Sequence, residues 1–136
     1  MKKSSVFWEN RQVMRVEGDG KSPIPEQARQ CFTCLEAGLV SRRGRKFYGV
    51  INGHQYHACA SLLPGEENSS LPHPLWTLPG GAYTRICIRD WESRLDEIAR
   101  AFDLLYSTET VDPSRPGIEN YRSLRELYVM VPVLAN

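Results

Sequence analysis

Apolar and polar positions recur along this chain with two different periods, and the changes of period divide it into elements. Over 6–17 the alternation is that of extended chain. Val13, Arg15 and Glu17 fall on one side, with Met14 and Val16 on the other, which predicts a strand or a bent pair of strands. Gly18 to Pro23 carries loop chemistry. Pro25 suits the first turn of a helix, and Ala28, Cys31, Phe32, Leu35 and Leu39 then recur at helical spacing. Arg42, Arg43 and Gly44 are helix-stop chemistry. Residues 46–51 are short, apolar and β-favouring, and Asn52-Gly53 signals a hairpin. The return strand is predicted over 54–63, with Tyr56, Ala58, Ala60 and Leu62 on one face and His57, Cys59, Ser61 and Leu63 on the other.

Residues 64–81 are rich in Pro and Gly and read as a linker at the midpoint of the chain. The pattern then starts again. Residues 82–89 predict a strand with Tyr83, Arg85, Cys87 and Arg89 opposite Ala82, Thr84, Ile86 and Ile88. Trp91, Leu95, Ile98, Ala99, Phe102, Leu105 and Tyr106 form the clearest helical stripe, with Ser93 as the expected N-cap. Residues 107–117 read as loop, followed by strands over 118–122 and 127–133. The order strand–helix–strand–strand therefore occurs twice, which suggests an internal duplication although the residue identities do not repeat. The expected fold is α+β, with half-repeats over 6–63 and 82–133 in a single domain. Two such halves related by a pseudo-twofold axis would form an antiparallel sheet with both helices on one face and, on the other face, a ligand cleft between the halves.

Composition agrees with one globular domain. The chain has 136 residues, 41% of them hydrophobic and 24% charged, values that exclude disordered and collagen-like chains. Seventeen Lys and Arg balance sixteen Asp and Glu, for a net charge of +1. Such a balance gives no long-range pull on nucleic acid or on an anionic membrane, so neither is an expected partner. No apolar stretch is long enough to span a bilayer, and the N-terminus lacks the apolar region of a signal peptide, so the expected location is cytoplasmic.

The second half carries a resemblance. Leu78-Pro79-Gly80-Gly81-Ala82-Tyr83 resembles the strand opening of gyrase-inhibitor-like (GyrI-like) effector-binding domains. Gly117-Ile118-Glu119-Asn120-Tyr121 resembles an internal strand of that family, and Leu127 to Val133 its closing strand. Phe47-Tyr48-Gly49-Val50 is similar to the corresponding strand of the first half. The family occurs as ligand-sensing modules of AraC- and MerR-class multidrug-responsive regulators and as stand-alone proteins. The resemblance implies two strand–helix–strand–strand repeats and a cleft for bulky, aromatic, cationic molecules. This chain departs from the pattern where Ile118 replaces the usual aromatic residue and in its short 107–116 loop.

Glu119 aligns with the family's pocket acid. A buried carboxylate is costly without a partner, and a bound organic cation would supply one. Its alternative is an ordinary strand carboxylate facing solvent or paired with an arginine; Glu126 is the second acid. Among thirteen aromatic residues, Tyr121, Tyr48, Trp91, Trp76 and Tyr106 join Glu119 as candidate ligand-binding residues, since flat faces near a carboxylate suit a delocalised cation. For each the alternative is plain core packing, which for Trp91 and Tyr106 the helical stripe would explain. Cys31-x2-Cys34 with His54 and His57 has a superficial zinc spacing. Mid-helix cysteines and histidines three apart on a strand do not fit a structural zinc site, so neither metal nor cofactor is predicted. The basic run Arg42 to Lys46 reads as a solvated helix end.

These residues lead to a small-molecule binding module with Glu119 providing charge selection. The resemblance also implies a second reading, since some stand-alone members of the family resemble hydrolases of electrophilic, cyclopropane-type genotoxins; here Glu119 would activate water and Tyr121 donate a proton. A protein-binding inhibitor is the third reading. A partner regulator and a homodimer remain open as protein partners.

Overall fold

The computed structural model describes residues 1–68 and 70–134; Ser69, within the expected linker, and residues 135–136 lie outside the described residues. The chain forms β1 (Lys3–Trp8), β2 (Arg11–Glu17), α1 (Ile24–Ala37), β3 (Phe47–Asn52), β4 (Gln55–Ser61), β5 (Leu75–Leu78), β6 (Gly81–Arg89), α2 (Leu95–Thr108), β7 (Gly117–Tyr121) and β8 (Glu126–Pro132). These elements gather into two compact units. The first half is Asn10–Leu78, and the second is Met1–Glu9 together with the chain from Pro79 onward.

In the first half the strand order is β3-β4-β2-β5, antiparallel throughout. Register makes Met14 the partner of Ala60, Val16 of Ala58 and Ile51 of Tyr56. That row of faces packs on Cys31 and Leu35 of α1, with Phe32 and Phe47 alongside. Tyr48, Val50, His57, Cys59 and Arg15 consequently point to the other side of the sheet, as period-two alternation requires. Gln27 is fully buried yet satisfied. Its Nε2 donates to the carbonyls of Ser22 (2.7 Å) and His54 (2.8 Å), and its Oε1 accepts from the amide of Tyr56 (3.0 Å). One side chain thus fixes the start of α1 against the β3–β4 hairpin. In that hairpin Asn52 pairs with Gln55, and Gly53, at φ +63°, supplies the left-handed first residue of the two-residue turn.

The second half has the order β7-β8-β6-β1, again antiparallel. The path β6-α2-β7-β8 repeats β2-α1-β3-β4, so the α+β fold with strand–helix–strand–strand twice is present. Each repeat carries one added strand, β5 beside β2 and β1 beside β6. Ile86, Ile88, Leu127, Val129 and Val131 share one face, and Ala101, Phe102 and Leu105 are the buried positions of α2. Glu109, just past α2, accepts from Thr84 Oγ1 (2.8 Å) and pairs with Lys3 (2.9 Å), tying the helix end to β6 and β1.

The halves share arginine at equivalent places, by register at Arg15 and Arg85 and again ahead of the third element. Arg45 and Arg115 each lie two residues before the third element of their repeat. Arg45 grips Glu66 with both terminal nitrogens (2.7 and 2.6 Å) and donates to the carbonyl of Ser61. Arg115 bonds Asp112 (3.0 Å) and the carbonyls of Gly80, Ala82 and Val133.

Several expectations are corrected. The helix α1 stops at Ala37, because Gly38 caps it, so Arg42 and Arg43 lie beyond it and Arg45 is a buried ion-pair partner, not part of a solvated helix end. The 64–81 segment contains β5, which the flanking prolines disguise. Ser93 does not cap α2. It ends a 3-10 turn (Trp91–Ser93), and its hydroxyl donates to the carbonyl of Asp90. The helix continues to Thr108, beyond the expected loop start. Among the described residues no helix is long and apolar enough to cross a membrane.

Candidate functional site

Strand β7 begins at Gly117, and Glu119 and Tyr121 follow on the same face. That face is the one turned toward α2. A Cβ built on Gly117 would lie 2.7 Å from the Tyr106 hydroxyl and 3.1 Å from Phe102 Cε1, so both rings of α2 lie over the opening of the strand. Phe102 and Tyr106 stack with centroids 6.2 Å apart. Tyr106 is 46% exposed, but its hydroxyl end rests against the strand, and burial raises its phenol above the ordinary value.

Glu119 pairs in register with Val129, which pairs with Ile86, so the carboxylate sits in an apolar row and is only 7% exposed. Tyr121 donates its hydroxyl hydrogen to Glu119 Oε1 at 2.7 Å. The Tyr121 ring meets Trp91 edge to face, centroids 5.1 Å apart. Trp91 is in turn held by its indole N–H, which donates to the carbonyl of Ser123 at 3.1 Å. The 3-10 turn ahead of α2 therefore aims an anchored indole at a phenol that is itself hydrogen-bonded to a buried acid. Chemically, this arrangement places a carboxyl group beside aromatic faces in an apolar setting.

The candidates from the sequence thus divide. Glu119, Tyr121, Trp91 and Tyr106 are brought to one side of the second half. Tyr48 and Trp76 belong to the first half, on the sheet face away from α1. There Arg11 Nη1 donates to the Tyr48 hydroxyl (2.8 Å), and the pair lines a depression of about 520 Å³ with Lys46, Ser61 and Glu67. Trp76 packs near His57, centroids 5.9 Å apart, beneath the guanidinium of Arg15 at 4.8 Å. His57 is 4% exposed; burial first and Arg15 second push its pKa down. Glu126, the second acid, instead lies on the other face of the second half, accepting from the thiol of Cys87 at 3.6 Å.

Cys31 lies on the α1 side of the sheet, against the Tyr56 carbonyl, whereas His57 lies on the opposite side. Cys34 is exposed on α1. Among the described residues no group of three or more His, Cys, Asp or Glu side chains gathers as a metal site. Sequence reading missed Gly117, whose lack of a side chain lets α2 close over β7. Its place ahead of the Ile-Glu-Asn-Tyr run was the available signal.

No protein-family model matches the chain, and no curated protein matches it. Solved structures do. The integron cassette protein VCH_CASS2 from the mobile metagenome of Vibrio cholerae superposes with a TM-score of 0.65 at 11% identity, over 97% of this chain and 95% of that one. SAV2435, solved bound to tetraphenylphosphonium, gives 0.60 at 13% identity over 99% and 95%. A hydrolase from Listeria innocua gives 0.52 at 10% identity over 98% and 92%. At such identities the likeness is one of fold, and the fold is that of the GyrI-like domains that the second half of this sequence resembles.

Proposed function

We propose that this chain is a binding module for small amphipathic aromatic cations, seated against Glu119 with Tyr121, Trp91 and Tyr106 as aromatic walls. The observation that carries the reading is the buried Glu119 carboxylate, hydrogen-bonded by Tyr121 and bordered by the anchored Trp91. A buried acid bordered by aromatic faces offers a lipophilic cation an opposite charge, and the cation's hydrocarbon surface gains from leaving water. The tetraphenylphosphonium complex of SAV2435, a protein of the same fold, supports this ligand class.

The test is titration with tetraphenylphosphonium and with a size-matched neutral tetraphenyl compound, read by Trp fluorescence or calorimetry. Wild-type protein is expected to take up the cation preferentially. Glu119→Gln keeps the shape and removes the charge, and should weaken the cation by about tenfold or more, equivalent to about 1.4 kcal/mol, leaving the neutral compound unchanged. Equal losses for both compounds would overturn charge selection. Consumption of an electrophilic substrate that stops in Glu119→Gln would replace binding by hydrolysis.

A further inference from the structure

On the face of the second half turned away from α2, Tyr83, Ile118 and Met130 are buried, while the end that holds Cys87 and Arg89 is exposed and carries arginines. Arg85 and Arg89 project from β6 on the same side as Cys87, and Tyr128 of β8 is the register partner of Cys87. The guanidinium of Arg85 lies over the Tyr128 ring at 4.2 Å. Arg122, in the turn between β7 and β8, stands 6.0 Å from the same ring and donates from Nη1 to its hydroxyl at 3.3 Å. Arg85 also reaches Ser4 on β1 through Nε at 3.4 Å. One tyrosine thus orders two guanidinium groups, and Arg89 and Arg122 are both exposed.

Among the described residues none of Arg85, Arg89 and Arg122 forms an ion pair, nor do Arg29, Arg43 and Arg125; this face differs in holding three such arginines together, two of them on one tyrosine. Even Glu126, the cross-strand partner of Arg89, is engaged by the Cys87 thiol. Like charges held on one surface repel, and an anionic partner relieves that repulsion. Stacking on an aromatic ring fixes the planar donors in advance, so less freedom is lost on meeting a carboxylate fork.

We propose that this arginine face docks an acidic segment of a partner protein. Charge complementarity identifies the occupant. One further feature favours carboxylates over a nucleic-acid strand: the face of Tyr128 that a base would stack on is occupied by Arg85. This surface is independent of the Glu119 reading.

The experiment uses a fluorescein-labelled oligo-glutamate peptide, with a length-matched oligo-lysine and a length-matched single-stranded oligo-deoxythymidine as comparisons. Anisotropy is read at low and at physiological salt. The acidic peptide is expected to bind, and more weakly as salt rises. The doubly reversed variant Arg89→Glu with Arg122→Glu should bind it at least about tenfold more weakly while its thermal unfolding stays close to wild type, because both positions are exposed. A second readout localises the contact: alkylation of Cys87 should slow in the presence of the peptide, with Cys34, exposed on α1, as the unaffected control. Absence of peptide binding at low salt would overturn the proposal, as would equal binding by the reversed variant or equal protection of both cysteines. Binding of oligo-deoxythymidine as tight as that of oligo-glutamate would replace the protein segment by nucleic acid.

Discussion

The two halves follow one backbone plan and fill it with different chemistry. In the first, the α1 side of the sheet is apolar: Met14, Tyr56, Ala58 and Ala60 close on Cys31 and Leu35, with Phe47 and Ile51 at the margin. In the second, the face turned to α2 also has its apolar row, Ile86, Val129 and their neighbours, but that row runs into Glu119 and Tyr121. Equivalent strands thus offer Gly49 and Ile51 in one repeat and a hydrogen-bonded acid and phenol in the other. On the helix side of its sheet the first half buries Gln27, which satisfies backbone and holds a helix start. The second buries Glu119 there, hydrogen-bonded to Tyr121. One backbone plan thus carries a hydrocarbon face in one half and the candidate site residues in the other.

The comparison breaks most visibly at the paired arginines. Each half locks the approach to its third element with a guanidinium that bridges a carboxylate and strand-end carbonyls. The side chains of Arg45 and Arg115 are 6% and 14% exposed, so these are not ordinary surface ion pairs. Replacement by Met removes the arginine donors from these carbonyls and leaves Glu66 with only the Leu63 amide and Asp112 with only Ser114 among the donors described. We expect Arg115→Met to lose about 3 kcal/mol in urea unfolding, and Arg45→Met a similar amount. Lys at either position keeps the charge and loses the fork, so it should recover only part. A loss below about 0.5 kcal/mol in one half alone would show that the two anchors are not equivalent devices.

Much of this plan is legible in the sequence, for physical reasons. Period-two alternation placed Met14 and Val16 opposite Arg15, and Tyr56 and Ala58 opposite His57 and Cys59, because one face is buried and polarity must follow the pleat. Glu119 and Tyr121 were readable as a pair because residues two apart share a face. What escaped is what depends on contacts distant in sequence. A four-residue strand, Leu75–Leu78, between prolines has no periodicity to detect. The end of α1 is ambiguous, since Arg42, Arg43 and Gly44 are turn chemistry as readily as helix-stop chemistry. Trp76 and Tyr48 are aromatic residues on strands, and composition alone does not assign them to the half without Glu119. The equivalence of Arg45 and Arg115 needed the strand boundaries to be seen.

A smaller effect tests how tightly α2 closes over the site. Gly117→Ala puts a methyl group within contact distance of Tyr106 and Phe102, closest to the Tyr106 hydroxyl. Overpacking of this kind costs about 1–3 kcal/mol, and it should also loosen the aromatic wall beside Glu119. Combining it with Tyr106→Phe removes the nearest atom, so the double variant should recover stability relative to Gly117→Ala. A double variant no more stable than the single would show that Phe102, or the strand itself, takes the strain.

The mildest comparison is with acid. Arg45 holds the Glu66 carboxyl at about 2 against an ordinary 4.5, and Asp112 is held at about 2 against 3.8, first by Ser114 and then by Arg115. Both folded values lie below the unfolded ones, so the unfolded chain binds protons first as pH falls. The stabilisation is present above the unfolded values and is lost on the way down toward about pH 2 in both halves. Asp19 and Glu109 are lowered as well and contribute to the same slope, so substitution is needed to separate them. Glu66→Gln should lower the melting temperature modestly at neutral pH and flatten its fall between about pH 5 and the acid limit, and Asp112→Asn should do the same. A melting curve whose acid slope survives both substitutions would assign the sensitivity to Asp19 and Glu109, and with it to the loop before α1 and the end of α2 instead of the arginine anchors.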